Sequence, residues 1–349
     1  MSESRHSIPV EMREGHVFLP EVGLWLDPHR RKDLAFVSHA HSDHFGPHRE
    51  LICSEGTRVL IEERYRPKRT TFRSVAFHEE ILLNGHRLKL LPAGHIAGSA
   101  QLFVERLADG ASLLYTGDFK LRAGHAAEVS EWCRADTLIM ETTFGLPRYQ
   151  LPPGEEIVAE MVAFARKSFE DGHFPVFLAY SLGKAQEALL ALHRSASDFA
   201  FCLHPAAARM TEAVATLGYE FPPFHEFDPD DAEFDPSGWV HIQPPMAKRQ
   251  ANSPAWSRAR VAMITGWALD KSARYRFRVD EAFALSDHAD YDDLLRCVEE
   301  RVKPRRILTL HGYAKEFAAD LRRRGWEAWS LGGGDQLELG LFTEARREE

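Results

Sequence analysis

The stretch from Ser38 to Gly46 reads SHAHSDHFG, which sets His39, His41, Asp43 and His44 within six residues, directly after the apolar run Leu34, Ala35, Phe36 and Val37. A short apolar run of this kind reads as a buried strand, so four potential metal ligands leave one strand end together. Alternate residues point the same way at a strand end. His39 and His41 can therefore close on one cation while Asp43 and His44 turn toward a neighbouring position. A polar cluster this dense costs solvation free energy unless something binds it. A six-residue loop cannot surround two cations, so the fold must bring further ligands from other strand ends.

Two such ligands follow. RLKLLPAGHIAGSAQLFVE alternates into a strand through Leu88 and Leu90, breaks at Pro92, Ala93 and Gly94, presents His95, and resumes as a strand through Leu102 and Val104. His95 is the third imidazole for the His39 and His41 position. ASLLYTGDFK is a short apolar strand ending at Gly117 with Asp118 just beyond it, where a carboxylate can bridge two ions. Alone, an Asp after Gly is usually a turn residue. The order and the repeated strand-end placement carry the inference.

This series resembles the metallo-β-lactamase fold superfamily: an early Asp, then HxHxDH, a lone His and a lone Asp. The resemblance implies that the early Asp is Asp27 in LWLDP, which holds the ligand loop by hydrogen bonds rather than binding metal. From the local sequence alone, Asp27 before Pro28 also fits a turn or helix cap.

Bulk properties agree with a cytoplasmic enzyme. The 349 residues suffice for two domains. No apolar run reaches membrane-spanning length, and MSESRHSIPVEMREGH lacks the apolar stretch of a secretory signal, so no membrane partner is expected. Cys53, Cys133, Cys202 and Cys297 form no CxxC pair, which points away from a disulfide framework or a cysteine zinc site. The formal charge of −9 argues against a protein that coats nucleic acid nonspecifically. Basic residues nevertheless gather at Arg64, Arg66, Lys68, Arg69 and Arg73, at Lys248, Arg249, Arg258 and Arg260, and at Lys271, Arg274, Arg276 and Arg278. Each group reads as a solvated face or, if turned toward the metal cleft, as a steering surface for a polyanion. FDPDDAEFD supplies an acidic counterpart.

Organisation along the chain narrows the reading, because the fold alone permits many hydrolyses. ADTLIMETTFG gives an apolar strand ending at Glu141, and LPRYQLPPGE breaks the pattern. Helical spacing then runs from Glu155 to Phe169, followed by a strand in FPVFLAY, a helix in SLGKAQEALLALH, a strand in FAFCLH, a helical stretch to Leu217, a Pro-rich acidic segment to Pro236, and a last strand in RVAMITG. This alternation is a parallel α/β unit inserted into the first domain. Two more histidines follow strands: His288 in EAFALSDHADY and His311 in RRILTLHGY.

With the insertion, these pieces resemble the β-CASP branch of the superfamily, whose members cut DNA or RNA. The matching runs are ETTFG, SLGKAQEALL, SDHADY and TLHGY. Within the branch, ETTFGLPRYQLP, AYSLGKAQ, PPMAKRQANSPAW with TGWA, and LSDHADY are most similar to bacterial ligase-associated DNA exonucleases, although SHAHSDH contains less glycine than that subgroup's loop. The implied architecture is an α/β fold: an αββα metallo-β-lactamase sandwich from residues 1–146 and 280–349, with a parallel α/β β-CASP insertion at 147–279.

Matched by motif, the resemblance implies that His39, His41 and His95 hold one metal, that Asp43, His44 and His311 hold the second, and that Asp118 bridges them. The two cations would supply an acidified water as the nucleophile toward phosphorus. On the same resemblance His288 is the candidate to bind the scissile phosphate and protonate the leaving oxygen, with Glu141 on its other ring nitrogen; His288 and His311 could exchange roles. His-rich ligation suits two Zn ions, with Mn as the alternative. Ser181, Gly183 and Lys184 at a helix start could bind a substrate phosphate or serve as cap and packing residues. Trp256 and Trp267 could stack on bases or sit in the core.

The expected function is a DNA exonuclease of DNA repair, with a DNA ligase and helicase as partners. His311 resembles the third motif of RNA-processing members and keeps an mRNA 3′-end-processing type of ribonuclease as the alternative. A small-molecule metallo-hydrolase explains HxHxDH, His95 and Asp118 but gives no reason for Glu141, SDHADY or TLHGY.

Overall fold

The computed structural model describes residues 7–228, 233–246, 254–270 and 272–332. It forms a mixed α/β structure with three sheets. The chain divides into two compact units: the described residues within Met1–Ala123, Ala127–Gln150 and His288–Glu349, and those within Gly124–Ala126 and Leu151–Asp287.

In the first unit, β1 (Glu11–Arg13), β2 (His16–Leu19), β3 (Leu24–Leu26), β4 (Leu34–Phe36), β5 (Glu50–Ser54) and β6 (Thr71–Val75) form a sheet in chain order. The first three strands run antiparallel and the rest join in parallel. Helix α1 (Glu55–Tyr65) starts directly after β5, where the Ser54 hydroxyl accepts the Thr57 amide. The second sheet comprises β7 (Glu80–Leu83), β8 (His86–Pro92), β9 (Ala100–Arg106), β10 (Ser112–Tyr115), β11 (Thr137–Glu141) and, far along the chain, β18 (Arg306–Leu310) and β19 (Glu327–Ser330). Its order is β19-β18-β11-β10-β9-β8-β7.

Every residue of β11 is buried because both faces of its sheet are covered. Ile139 joins Leu26, Phe36 and Ile52 of the first sheet and Leu90, Leu102 and Leu308 of the second in one core. Leu138 and Met140 point the other way, to Leu294 of α6 (Tyr291–Arg296) and to Phe317 and Leu321 of α7 (Ala314–Arg323).

In the second unit the elements run α2 (Gly154–Glu170), β12 (Phe174–Leu178), α3 (Lys184–Ser195), β13 (Ala200–Leu203), α4 (Pro205–Ala215), β14 (Phe224–Glu226), β15 (Trp239–Gln243), β16 (Ala259–Ile264), α5 (Ala273–Phe277) and β17 (Glu281–Phe283). The six strands are all parallel, in the order β14-β13-β15-β12-β16-β17. Met161 of α2, Leu189 of α3 and Ala208 of α4 pack with Phe177, Phe201 and Ile242 of the sheet.

Two details differ from the sequence reading. Strand β14 falls within the segment read as Pro-rich and acidic, and β15 follows that segment; β14 is only three residues long and carries no alternating pattern, so it is legible only from its pairing with β13. Strand β17, expected with the C-terminal part, pairs with β16. The second compact unit comprises Leu151–Asp287 together with Gly124–Ala126.

Of the basic groups, Lys248, Arg249 and Lys271 lie outside the described residues, as does much of FDPDDAEFD. Arg260 pairs with Asp171, and Arg64 donates to the Ala40 carbonyl inside the histidine loop. Trp256, half-buried, packs edge-on against Phe174 and Phe227. All four cysteines are unpaired. No helix among the described residues is long and apolar enough to cross a membrane.

Candidate metal centre

The histidine loop leaves β4, His95 sits in the turn between β8 and β9, Asp118 follows β10, Glu141 ends β11, and His288 precedes α6. All belong to the first unit. The segments after β4 and β10 touch at Gly117: its φ is +54°, and a Cβ there would lie 2.5 Å from the Ser38 Cβ. Only glycine lets Asp118 approach the histidine loop this closely.

Three ring nitrogens converge. His39 Nε2 lies 3.0 Å from His41 Nδ1, and His95 Nε2 lies 3.2 Å from the same atom. In a tetrahedral zinc site with Zn–N bonds of 2.0–2.1 Å, two nitrogens stand about 3.3 Å apart, so the spacing fits a shared cation. Asp118 Oδ2 lies 3.3 Å from His44 Nε2, 3.6 Å from His39 Nε2 and 3.9 Å from His95 Nε2. Three overlapping groups could hold a metal: His39, His41 and His95; His39, His44 and Asp118; and His95, Asp118 and His288.

The electrostatics suit a cation. Burial, and then the neighbouring imidazoles of His44, His95 and His41, push His39 well below the usual histidine range, which leaves it neutral with a lone pair to donate. Burial alone would raise Asp118, but His44 foremost outweighs it and holds the carboxyl well below the usual range. Burial also disfavours a charged His44, yet the carboxylates of Asp118, Asp43 and Asp27 together hold it well above the usual range.

A buried carboxylate arranges the protons on two of these rings. Asp27 accepts the Ser38 amide at 2.6 Å on Oδ1; on Oδ2 it accepts the Ser38 hydroxyl at 2.6 Å, the Tyr115 hydroxyl at 2.7 Å and His44 Nδ1 at 2.9 Å. Because the Ser38 hydroxyl proton goes to Asp27, its oxygen accepts from His39 Nδ1 at 3.0 Å. His39 thus carries hydrogen on Nδ1 and turns a bare Nε2 toward Asp118, while His44 commits Nδ1 to Asp27 and faces Asp118 with Nε2, the nitrogen at which a cation would replace a proton.

Glu141 does the same for His288. It is fully buried, accepts the Phe119 amide at 2.9 Å and the Thr143 hydroxyl at 2.5 Å, and lies 2.9 and 3.0 Å from His288 Nδ1. The remaining nitrogen of His288, Nε2, is left for the cluster. The His288 ring stands 4.6 Å from that of His95.

Two expected ligands stay outside the three groups. The Asp43 side chain is 77% exposed on the turn closed by the His44 amide and His41 carbonyl, with one oxygen 3.8 Å from His44 Nε2. His311 is exposed at a positive φ of 60°, its ring 5.6 Å from that of His44. In the second unit, the Gly183 amide donates to Gln186 Oε1 at 2.7 Å and Lys184 Nζ donates to Asp287 at 2.6 Å. Both donors expected to face a phosphate are therefore engaged, and Ser181 is the one partly exposed member of that set.

Sequence reasoning passed over Ser38, Tyr115 and Thr143, which orient the carboxylates. A serine adjoining the histidine loop and a tyrosine two residues before Gly117 are the available signals. Only contacts across the chain give them meaning.

No protein-family profile matches the chain. It is 45% identical over 335 residues to a "Probable DNA ligase" of Opitutus terrae, a match covering 96% of this chain and 32% of that protein. It is 30% identical over 158 residues to the mouse "DNA cross-link repair 1A protein", covering 43% of this chain and 15% of the other. An "RNase J-like protein" of Methanocaldococcus jannaschii is 26% identical over 218 residues, covering 53% and 51%. The chain thus spans about a third or less of the first two relatives. A solved Enterococcus faecalis protein of unknown function shares the fold with a TM-score of 0.51 at 13% identity, over 86% of this chain and 79% of that one.

Proposed function

We propose, on the premise that the chain belongs to the β-CASP branch of the metallo-β-lactamase fold superfamily, that it is a metal-dependent nuclease acting on DNA as an exonuclease in repair. The observation that carries this reading is the meeting of His288 with His95 and Asp118 while its far nitrogen rests on buried Glu141. A lactam or thioester hydrolase needs the histidine loop but has no use for a second, carboxylate-oriented imidazole at the same centre. The architecture we assign is an αββα sandwich built on the first two sheets, with the all-parallel unit as the β-CASP insertion.

Two bound zinc ions would supply an acidified water and offset charge on the phosphoryl oxygens. His39, His41 and His95 would hold one. Asp118 and His44 would hold the other, with exposed Asp43 and His311 beside His44 to complete its set. His288, kept in one tautomer by Glu141, would bind the scissile phosphate through Nε2 and pass a proton to the leaving oxygen. Lys184 would hold Asp287, the residue before His288, rather than a phosphate.

The relatives named for cross-link repair support DNA as the substrate, and we read the match to one third of a probable ligase as its nuclease portion. A ligase and a helicase are the partners we expect. Unpaired cysteines suit the reducing cytoplasm. His311 and the RNase J-like relative support RNA processing as the second reading.

The test is to incubate metal-loaded protein with end-labelled single-stranded DNA, duplex DNA and RNA beside a thioester and a lactam. Shortening of DNA from one end is expected. Turnover confined to the thioester or lactam would refute the nuclease, and turnover of RNA alone would shift the substrate.

A further inference from the structure

Arg148 lies in the first unit, between Phe144 and Tyr149, and is exposed. Its guanidinium carbon stands 4.9 Å from the Tyr149 ring centroid and 5.7 Å from that of Tyr313. Its Nη2 donates to both phenol oxygens, at 3.0 and 3.1 Å, and the two phenols are 2.9 Å apart. Cation–π contact and two hydrogen bonds therefore fix one edge of the guanidinium.

The other edge has no protein partner among the described residues. Among the described residues, Nε and Nη1 of Arg148 meet no acceptor, and no carboxylate lies within ion-pair distance. Three other arginines of this unit are neutralised: Arg122 by Asp290 and Asp293, Arg87 by Glu80 and Glu105, and Arg324 by Asp320. A cation held still yet left without a counter-ion, in a chain of net charge −9, is arranged for an anion from outside. The planar fork that remains open matches two oxygens of a phosphate.

The cluster is anchored to the centre from two sides. Tyr149 packs on Phe144 at 5.3 Å, and Phe144 packs on the His288 ring at 6.2 Å. Tyr313 follows His311 by two residues, and its amide donates to the Thr142 carbonyl next to Glu141. Between them, Gly312 has φ +53°, and a Cβ there would lie 2.5 Å from the Thr142 oxygen. Two aromatic rings in succession, Tyr149 and Phe144, thus stand between Arg148 and His288.

We propose that Arg148, clamped by Tyr149 and Tyr313, binds a backbone phosphate of the nucleic-acid strand flanking the scissile phosphate. This rests on the nuclease reading and assigns it a subsite beside the metal centre. Arg148 is a binding residue, so its loss acts on KM before kcat.

The experiment uses the metal-loaded full chain with a 12-nucleotide DNA carrying hydroxyl ends, so that every phosphate is internal. Arg148→Ala and the neutral, similarly long Arg148→Gln should raise KM about tenfold, the size of one charge-assisted contact, and lower the slope of log KM against log salt by about one. Arg148→Lys should recover the salt slope but only part of the affinity. Arg87→Ala serves as a control arginine and should match the wild type. Metal content and melting temperature, measured for each variant, identify misfolding. KM and salt slope of Arg148→Gln equal to those of the Arg87 control would overturn the subsite and leave the nuclease standing. A wild type that cleaves bis(p-nitrophenyl) phosphate but no oligonucleotide would overturn both.

Discussion

Asp27→Asn tests the proton arrangement at the centre with the least steric change. The backbone does not confound it, because Asp27 has a positive φ of 43° and Asn accepts that conformation readily. In the wild type every contact to the carboxylate is a donor: one amide, two hydroxyls and one imidazole nitrogen. An amide side chain must set its NH2 against either the Ser38 amide or the group formed by Ser38, Tyr115 and His44. The first orientation opposes two N–H donors. In the second, the Tyr115 hydroxyl can turn to accept, but a Ser38 hydroxyl that does so sends its proton toward His39 Nδ1. The hydrogen of His39 or His44 is then driven to Nε2, the nitrogen facing Asp118.

A lost hydrogen bond to a charged group costs about 1.5–3 kcal/mol, and tenfold in affinity is about 1.4 kcal/mol. The variant should therefore bind metal about 10 to 100 times more weakly, in the range seen when residues that orient metal ligands are changed. The greatest loss should fall on the position shared by His39, His44 and Asp118. Competition with a chromophoric chelator, with total metal measured on dialysed protein, reads the affinities; circular dichroism checks the fold. A folded Asp27→Asn protein that keeps every metal equivalent at wild-type affinity would refute the tautomer argument.

Glu141→Gln should retain metal and lose roughly 10- to 100-fold in kcat, because the NH2 can no longer hold the hydrogen on His288 Nδ1; equal metal loss would make Glu141 a scaffold residue only. His241, buried with its pKa pushed down to about 4 by burial foremost, is neutral when folded and titrates near 6.5 when unfolded. Below pH 6.5 the unfolded chain binds the extra proton, so this contribution is full above that pH and is lost as pH falls toward 4. It amounts to at most roughly 3 kcal/mol, and urea melts across that window should be flatter for His241→Gln. Gly117→Ala should lower both melting temperature and metal content, since its Cβ would meet Ser38 at 2.5 Å; unchanged values in both would show that the two segments part freely.

The order of elements was largely legible because long periodic runs survive any tertiary context. The buried run of β11, the amphipathic α2 and the strand ends before Asp118 and His311 could be read from residue type alone. Strands β1 and β14 could not, being three residues long and defined by their neighbours. Among the site residues, His39, His41, His95 and Asp118 were legible as a pattern of donors. Ser38, Tyr115 and Thr143 were not, since a hydroxyl carries no sign of its partner.

By itself the amino-acid sequence determined which donor atoms exist and that they fall where strands end, because ligand chemistry and the two-residue period of a strand are local properties. The tertiary structure alone decided which nitrogen of each imidazole faces the centre, that Lys184 is spent on Asp287, and that Arg148 stands ordered with no counter-ion among the described residues. Those outcomes depend on hydrogen-bond partners as many as 165 residues apart, and no local rule specifies a contact across that distance.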